Sequence, residues 1–267
     1  MSMKVLKHNP KNFTEIWQDV YPIHAYQVDV ERRLTAPMLC RVMEESAWRH
    51  AEHLELGFSH LQEKGLVWVL ARLYLKIDAY PLWGDQLHVH TFPSGSDRLF
   101  CYRDFQLSDQ TGKTIGEAGT SWFVIDTVAR KPQSTRSYMT LESHDDLVQK
   151  HLEQLKKLPA AGGQDHSDTI RVRYQDIDIN GHVNNVRYLD WMLDSFRLHF
   201  HQQHRLRELQ INFLAESFYE DQLQVVYAQL NDRTFRHEIV RLSDQIAVCR
   251  AVTGWVPNAD FGMRNAE

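Results

Sequence analysis

The sequence predicts an α+β fold laid out twice along the chain, and three observations carry that reading. The first is self-similarity. A shift of 149 positions puts Asp29 on Asp178, Met43 on Met192, Glu45 on Asp194 and Ser46 on Ser195. Further on, Asp85-Gln-Leu matches Asp221-Gln-Leu, Asp97-Arg-Leu-Phe matches Asp232-Arg-Thr-Phe, and Ser108-Asp-Gln matches Ser243-Asp-Gln. Short matches arise by chance, but their collinear order marks a duplication. The second is pattern: each half reads as one long amphipathic helix followed by four strand-like runs. The third is composition. With 267 residues, 43% hydrophobic and 11% aromatic, the chain can bury a sizeable core in one large domain or two modest ones.

The elements follow in order. In the first half a short extended piece leads into a helix over 36–56, then strands over 67–77, 86–93, 99–107 and 114–125. In the second half the helix covers 183–203 and the strands 208–217, 222–230, 235–242 and 245–256. Alternation supports several of them, as in Leu87-His-Val89-His-Thr-Phe, and Pro81-Leu-Trp-Gly84 and Ser108-Asp-Gln-Thr-Gly112 read as turns. A helix followed by an antiparallel meander is an α+β unit, because the sheet needs its apolar face covered and the helix covers it. Between the halves, 141–158 is a charged helical pattern that ends in Pro159-Ala-Ala-Gly-Gly163, a natural surface linker. The expected division is therefore 1–138, a linker with a helix over 139–168, and 169–267.

Composition also excludes function classes. A formal net charge of −5 argues against a general nucleic-acid binder, which would show a basic excess. Cys40, Cys101 and Cys249 are scattered without metal or redox spacing, so a reducing compartment and core positions are expected for them. No apolar run approaches 18 residues and the N-terminus has no apolar h-region, which points to a soluble, cytoplasmic protein.

The stretch richest in chemistry is Asp176-Ile-Asp178-Ile-Asn180-Gly-His182-Val-Asn184-Asn185-Val-Arg-Tyr188, which runs into an apolar-periodic helix. In an extended segment Asp178, Asn180 and His182 point to one side, so an acid, an amide and an imidazole converge. The helix behind them offers unpaired N–H groups and a positive dipole end to a developing oxyanion. Three plainer readings compete. Asp176, Asp178, Asn180 and Gly181 fit the start of a calcium loop, but the twelfth position, which needs a bidentate Glu, is Arg187. Asn180 or Asn184 suits helix capping. An Asn/Gly-rich turn is the third. The repeat weighs between them: the first half carries Glu31 and Arg33 where the second has Asn180 and His182. A shared fold therefore does not demand the amide and imidazole.

On these residues the chain resembles the acyl-acyl carrier protein thioesterases. The Asp178-x-Asn180-x-His182-Val-Asn-Asn-Val-Arg-Tyr188 run looks like that family's active-site motif. Similar segments in the first half are Glu44-Glu-Ser-Ala-Trp48-Arg-His-Ala, Gly65-Leu-Val-Trp68-Val-Leu-Ala-Arg72, Tyr80-Pro-Leu-Trp-Gly-Asp85 and Pro93-Ser-Gly-Ser-Asp-Arg98. The resemblance covers about residues 14–256 and implies a tandem (double) hot-dog fold, each half a long helix wrapped by an antiparallel sheet. It implies thioester hydrolysis in the second half, with the acyl chain mainly in the first. It also implies a further acid on the strand after the second helix, where Glu216 falls. Plant relatives carry a Cys directly after that Glu and a plastid-targeting extension. Here the residue is Ser217 and no such extension is seen, so a bacterial-type enzyme without a cysteine nucleophile is expected.

The expected catalytic set is thus Asp178, Asn180, His182 and Glu216. Glu216 activates water or attacks the carbonyl itself, Asn180 orients, His182 stabilises charge or delivers a proton, and Asp178 orients its neighbours. Asp176 is assigned a structural role. A thiol is a good leaving group, so no metal or cofactor is required. His50 and His53, one turn apart, read as an exposed helix face rather than a metal pair. Trp48, Trp68, Leu70 and Trp83 are candidate walls of an acyl tunnel. The implied partner, acyl carrier protein, is acidic, and Arg98, Arg103, Arg130, Lys131, Arg136, Arg171, Arg173 and Arg187 are candidates for its basic docking face. A homodimer is the expected assembly. The alternatives are an acyl-coenzyme A thioesterase and a non-catalytic module that binds the acyl chain or the carrier protein.

Overall fold

A computed structural model describes residues 15–135, 151–163 and 165–258. The first half begins with strand β1 (Trp17–Pro22) and enters helix α1 (Ala36–His53) through a cap in which the Thr35 hydroxyl accepts from the Met38 amide. Pro37 sits in the first turn, where its missing N–H costs nothing. A short helix α2 (Phe58–Gln62) and strands β2 (Leu66–Ile77), β3 (Gln86–Ser96), β4 (Cys101–Asp109), β5 (Thr114–Asp126) and the two-residue β6 (Lys131–Pro132) follow. The second half repeats this plan with β7 (His166–Arg171), α3 (Asn185–Asp194), α4 (Leu198–Gln203), β8 (His204–Phe213), β9 (Gln222–Asn231), β10 (Thr234–Arg241) and β11 (Ile246–Pro257).

All strand pairings are antiparallel, in the order β1-β3-β4-β5-β2-β8-β11-β10-β9-β7, with β6 on β5. The order is the same read from either end once each strand is matched to its repeat. The two five-stranded units meet at β2 and β8, where Arg72 faces Asn212 and Lys76 faces Glu208. Helices α1 and α3 lie side by side under the joined sheet and fill it with Leu39, Met43, Leu189 and Met192, all nearly inaccessible. Each such side chain stabilises the fold by about 1.5–3 kcal/mol. Arg41 on α1 pairs with Asp190 on α3 at 2.6 Å, and the two are separated by the repeat length of 149. This is the double hot-dog fold that the resemblance implied.

Four expectations change in detail. The second helix is broken rather than continuous over 183–203. Arg197 adopts an extended backbone, and Phe196 is stacked on Phe200 and Tyr227 within an aromatic cluster with Phe235 and Trp255. Seating that ring ends α3. The next strand starts at His204 and stops at Phe213, so Glu216 lies in the loop beyond it and not on the strand. β4 starts at Cys101 because Asp97 holds the Leu99 and Phe100 amides in a turn. His50 is wholly buried, not exposed, and stacks on Trp17 with ring centroids 5.5 Å apart. Of the predicted linker helix, 141–150 lies outside the described residues. From His151 the chain makes a helical turn and crosses to Gly163, with His151 buried against Asp104 at 3.0 Å. The three cysteines are buried and unpaired.

Candidate active site

The motif does not run extended. Residues 178–182 form a tight turn closed by Ile177–Val183 bridging, with the Asp178 amide on the His182 carbonyl at 2.9 Å and the Gly181 amide on the Asp178 carbonyl at 3.0 Å. Gly181 supplies the left-handed backbone this requires, at φ 83°. The expectation of three side chains aligned by strand pleating is therefore replaced by three side chains gathered by a turn. Asp178 holds that turn: its Oδ1 accepts from the Asn180 amide at 2.8 Å. The first half builds the same turn. Asp29 accepts from the Glu31 and Arg33 amides, Arg32 takes φ 62° where Gly181 stands in the second half, and Val28 bridges Leu34. The aspartate thus belongs to the shared scaffold, while the amide and imidazole are particular to the second half.

The turn delivers His182 between two carboxylates. Its Nδ1 lies 3.9 Å from Asp178 Oδ1 and its Nε2 lies 3.9 Å from Glu216 Oε1. Asn180 is exposed at the turn tip, with its amide 3.4 Å from Asp178 Oδ2. Asn184 caps α3 by accepting from the Val186 amide at 3.0 Å. The Val183 amide donates to the Ser217 carbonyl at 2.8 Å, which ties the turn to the loop that carries Glu216. Asp176 is buried and receives Nε and Nη2 of Arg187 at 2.7 and 2.6 Å, the structural role expected of it.

A second arginine reaches the site from the other half. Arg130, in the turn between β5 and β6, donates to Glu216 Oε2 at 2.6 Å, while Arg241 donates to the Glu216 carbonyl at 2.7 Å. The sequence offered Arg130 only as a docking candidate. Nothing local marks it, since the pairing spans 86 positions. Glu44 on α1 was likewise not singled out, yet it lines the same space as Asp178 and Asn185.

These groups stand at one cavity of about 760 Å³. Its walls include Trp48, Trp68 and Leu70, as expected, with Leu54, Phe58 and Phe123. Trp83 does not line it and is exposed in the turn before β3. The size matches sites that enclose a small organic ligand. Of the docking candidates, Arg103 faces this cavity rather than solvent, Arg171 and Arg187 are paired with Glu220 and with Asp176 and Asp190, and Arg136 lies outside the described residues. Among the described residues no cluster of His, Cys, Asp and Glu could hold a metal ion, and no helix is long and apolar enough to cross a membrane.

Two hot-dog units sharing one sheet, with a His between carboxylates in the lining of one cavity, make a double hot-dog protein with an enzyme-like site. Residues 14–140 match the acyl-ACP thioesterase N-terminal domain and residues 160–257 its C-terminal domain, so the chain belongs to the acyl-ACP thioesterase family. It is 25% identical over 264 residues to a chloroplastic palmitoyl-acyl carrier protein thioesterase of Gossypium hirsutum. That match covers 91% of this chain and 64% of the plant protein, so the chain spans just under two thirds of that relative's length. Among solved structures, an acyl-ACP thioesterase from Bacteroides thetaiotaomicron superimposes with a TM-score of 0.77 at 28% identity, covering 90% of this chain and 98% of that one. The 12:0-ACP thioesterase of Umbellularia californica shares the fold, with a TM-score of 0.77 at 20% identity over 91% of this chain and 97% of that one.

Proposed function

We propose that this chain hydrolyses the thioester of acyl-acyl carrier protein, releasing free fatty acid and ending chain elongation in fatty acid biosynthesis. The observation that carries the reading is His182 held between Asp178 and Glu216 at the mouth of the large apolar cavity. In this reading residues 1–138 hold the acyl chain, 139–168 link, and 169–267 supply the chemistry.

Glu216 is the general base. Its Oε2 is fixed by Arg130, and Oε1 faces His182 across a gap too long for a direct hydrogen bond and suited to a bridging water. Water loses a proton to Glu216 and adds to the carbonyl carbon. The oxyanion is stabilised by the Asn185 amide, which has no partner within α3, and by His182. The C–S bond then breaks, and the thiolate of the carrier's prosthetic arm takes the proton. Asn180 orients the water. Asp178 holds the turn and the His182 ring, and is a positioning residue. The acidic carrier protein docks beside the mouth, where Arg130 and Lys131 are adjacent and exposed. We assign the enzyme to the cytoplasm and to a homodimer.

The test is steady-state hydrolysis of a C8–C18 acyl-carrier-protein panel with matched acyl-coenzyme A controls, for wild type, His182→Ala and Glu216→Ala. Turnover that prefers the carrier protein and drops at least about 100-fold in either variant supports the reading. Preference for coenzyme A would make this an acyl-coenzyme A thioesterase. Tight acyl binding without turnover would make it a binding module.

A further inference from the structure

The cavity wall carries a charge that the hydrolysis does not use. Arg103 projects from β4 toward α1, and its Nη1 donates to His50 Nδ1 at 3.1 Å and to Thr91 Oγ1 at 3.2 Å. Both partners are wholly buried. Burial pulls the His50 imidazole down to about 3, so it is neutral and accepts at Nδ1. Burial also lowers Arg103, to about 10, which leaves the guanidinium cationic at neutral pH. Among the described residues no carboxylate pairs with it, and burial keeps the adjacent Cys101 thiol protonated, so it is no counter-ion. Among the described residues no partner engages the Nε and Nη2 donors, and the residue lines the cavity.

Its place in the sheet matters. The order β8-β2-β5-β4 puts Arg103 three strand spacings across the sheet from β8, about 14 Å at ~4.8 Å each, and the register sets it opposite Ile211, five residues before Glu216. The wall between is apolar, with Trp68, Leu70 and Trp122. On the far side of β4 the wall continues only to Pro93 of β3 among the described residues. A hydrocarbon chain driven against the guanidinium displaces its water and returns no acceptor, which is unfavourable.

We propose that Arg103, positioned by His50 and Thr91, is the polar floor of the acyl cavity and sets the upper limit of accepted chain length. This rests on the acyl-hydrolase reading. The test is the same C8–C18 panel with Arg103→Met, Arg103→Gln and Arg103→Lys, beside a turnover-free assay in which free fatty acids of graded length displace a fluorescent fatty acid. Removing the charge should raise kcat/KM, and binding, for chains two carbons beyond the wild-type optimum by at least about 10-fold. Arg103→Lys should keep the wild-type cut-off. Where Arg103→Met does not fold by thermal melting, Arg103→Gln, which keeps a donor toward Thr91, should still shift the profile. A folded neutral variant with the wild-type length profile in both assays overturns the proposal. A binding cut-off that moves in a protein with no turnover on any thioester supports the floor and sinks the hydrolysis reading instead.

Discussion

Glu44 is a carboxyl in an expensive place, and Glu44→Gln turns that into a measurable pH dependence. The residue sits on α1, between the cavity and the seam of the two central helices, beside Asn185, Leu189 and Phe213. Burial raises its pKa from 4.5 to about 7, opposed by Arg41 and reinforced by the negative charge of Asp178. Arg41, whose guanidinium also holds Asp190 at 2.6 Å, offsets only part of this. A rise of that size corresponds to about 3 kcal/mol for keeping the ionised form in the folded protein. Glu44 keeps a partial opening toward the cavity, and solvent there makes the figure a ceiling. The sign is that of a raised acid. Between pH 4.5 and about 7 the folded state holds a proton that the unfolded state has released, so stability falls as pH rises through this window and levels off above it. The amide cannot ionise. Glu44→Gln should therefore match wild type near pH 4.5 and exceed it by up to about 3 kcal/mol above pH 7. Urea denaturation of both proteins from pH 5 to 9 measures the difference. A difference that stays constant over that range refutes the argument.

Three further outcomes are expected. Arg130→Ala should leave stability within about 1 kcal/mol, since the pair is solvent-exposed on the arginine side, yet lower kcat roughly 10-fold by freeing Glu216, with KM raised for carrier-protein substrates and near constant for coenzyme A substrates; a changed melting temperature with unchanged kcat would reverse the assignment. Gly119→Ala should destabilise by about 1–3 kcal/mol, because the new Cβ would stand 2.7 Å from His151 Cβ on the linker and 3.2 Å from Asp104 Oδ1; calorimetry of the variant checks it. His237, buried against Thr253 and held neutral with a pKa near 3, must charge on acid unfolding. Stability should fall by about 1.4 kcal/mol per pH unit on its account between pH 6.5 and about 3, and His237→Gln should lose that part of the slope. Equal slopes in denaturant titrations at pH 4–7 would show that this histidine is not the cause.

The duplication made the architecture legible. A helix, four strands and a turn recurring in the same order are local patterns, and local patterns are what periodicity and turn residues report. The misreadings share one origin. The helix over 183–203 breaks where Phe196 joins an aromatic cluster built by β9, β10 and β11, a demand invisible from residue 196 itself. His50 reads with His53 as an exposed helix face because no third metal ligand is placed beside them, but Trp17 and Arg103, distant in sequence, bury and bind it. Of the site, the motif residues were legible because they sit within five positions of one another, and Arg130 and Glu44 were not because they enter from the other half.

That division has a physical reason. The turn at Asp29 and the turn at Asp178 share both backbone hydrogen bonds and the bond from the aspartate carboxylate to the amide two residues on, so the duplicated scaffold can place polar side chains in either half. In the first half the corresponding Glu31 is spent on Arg33 and Arg205, at 3.0 and 2.6 Å, and forms a closed ion-pair network. In the second half the corresponding Asn180 and His182 lack such close ion-pair partners among the described residues, and Arg130, which reaches the site from the first half, engages Glu216 rather than the imidazole. One copy of the turn is thus satisfied by the protein, and the other is left with groups whose remaining hydrogen-bonding capacity faces the cavity. Converting Asn180 and His182 together to the first-half residues, Glu and Arg, should keep the turn and the fold while abolishing hydrolysis. A folded double variant with wild-type turnover would separate the turn from the chemistry.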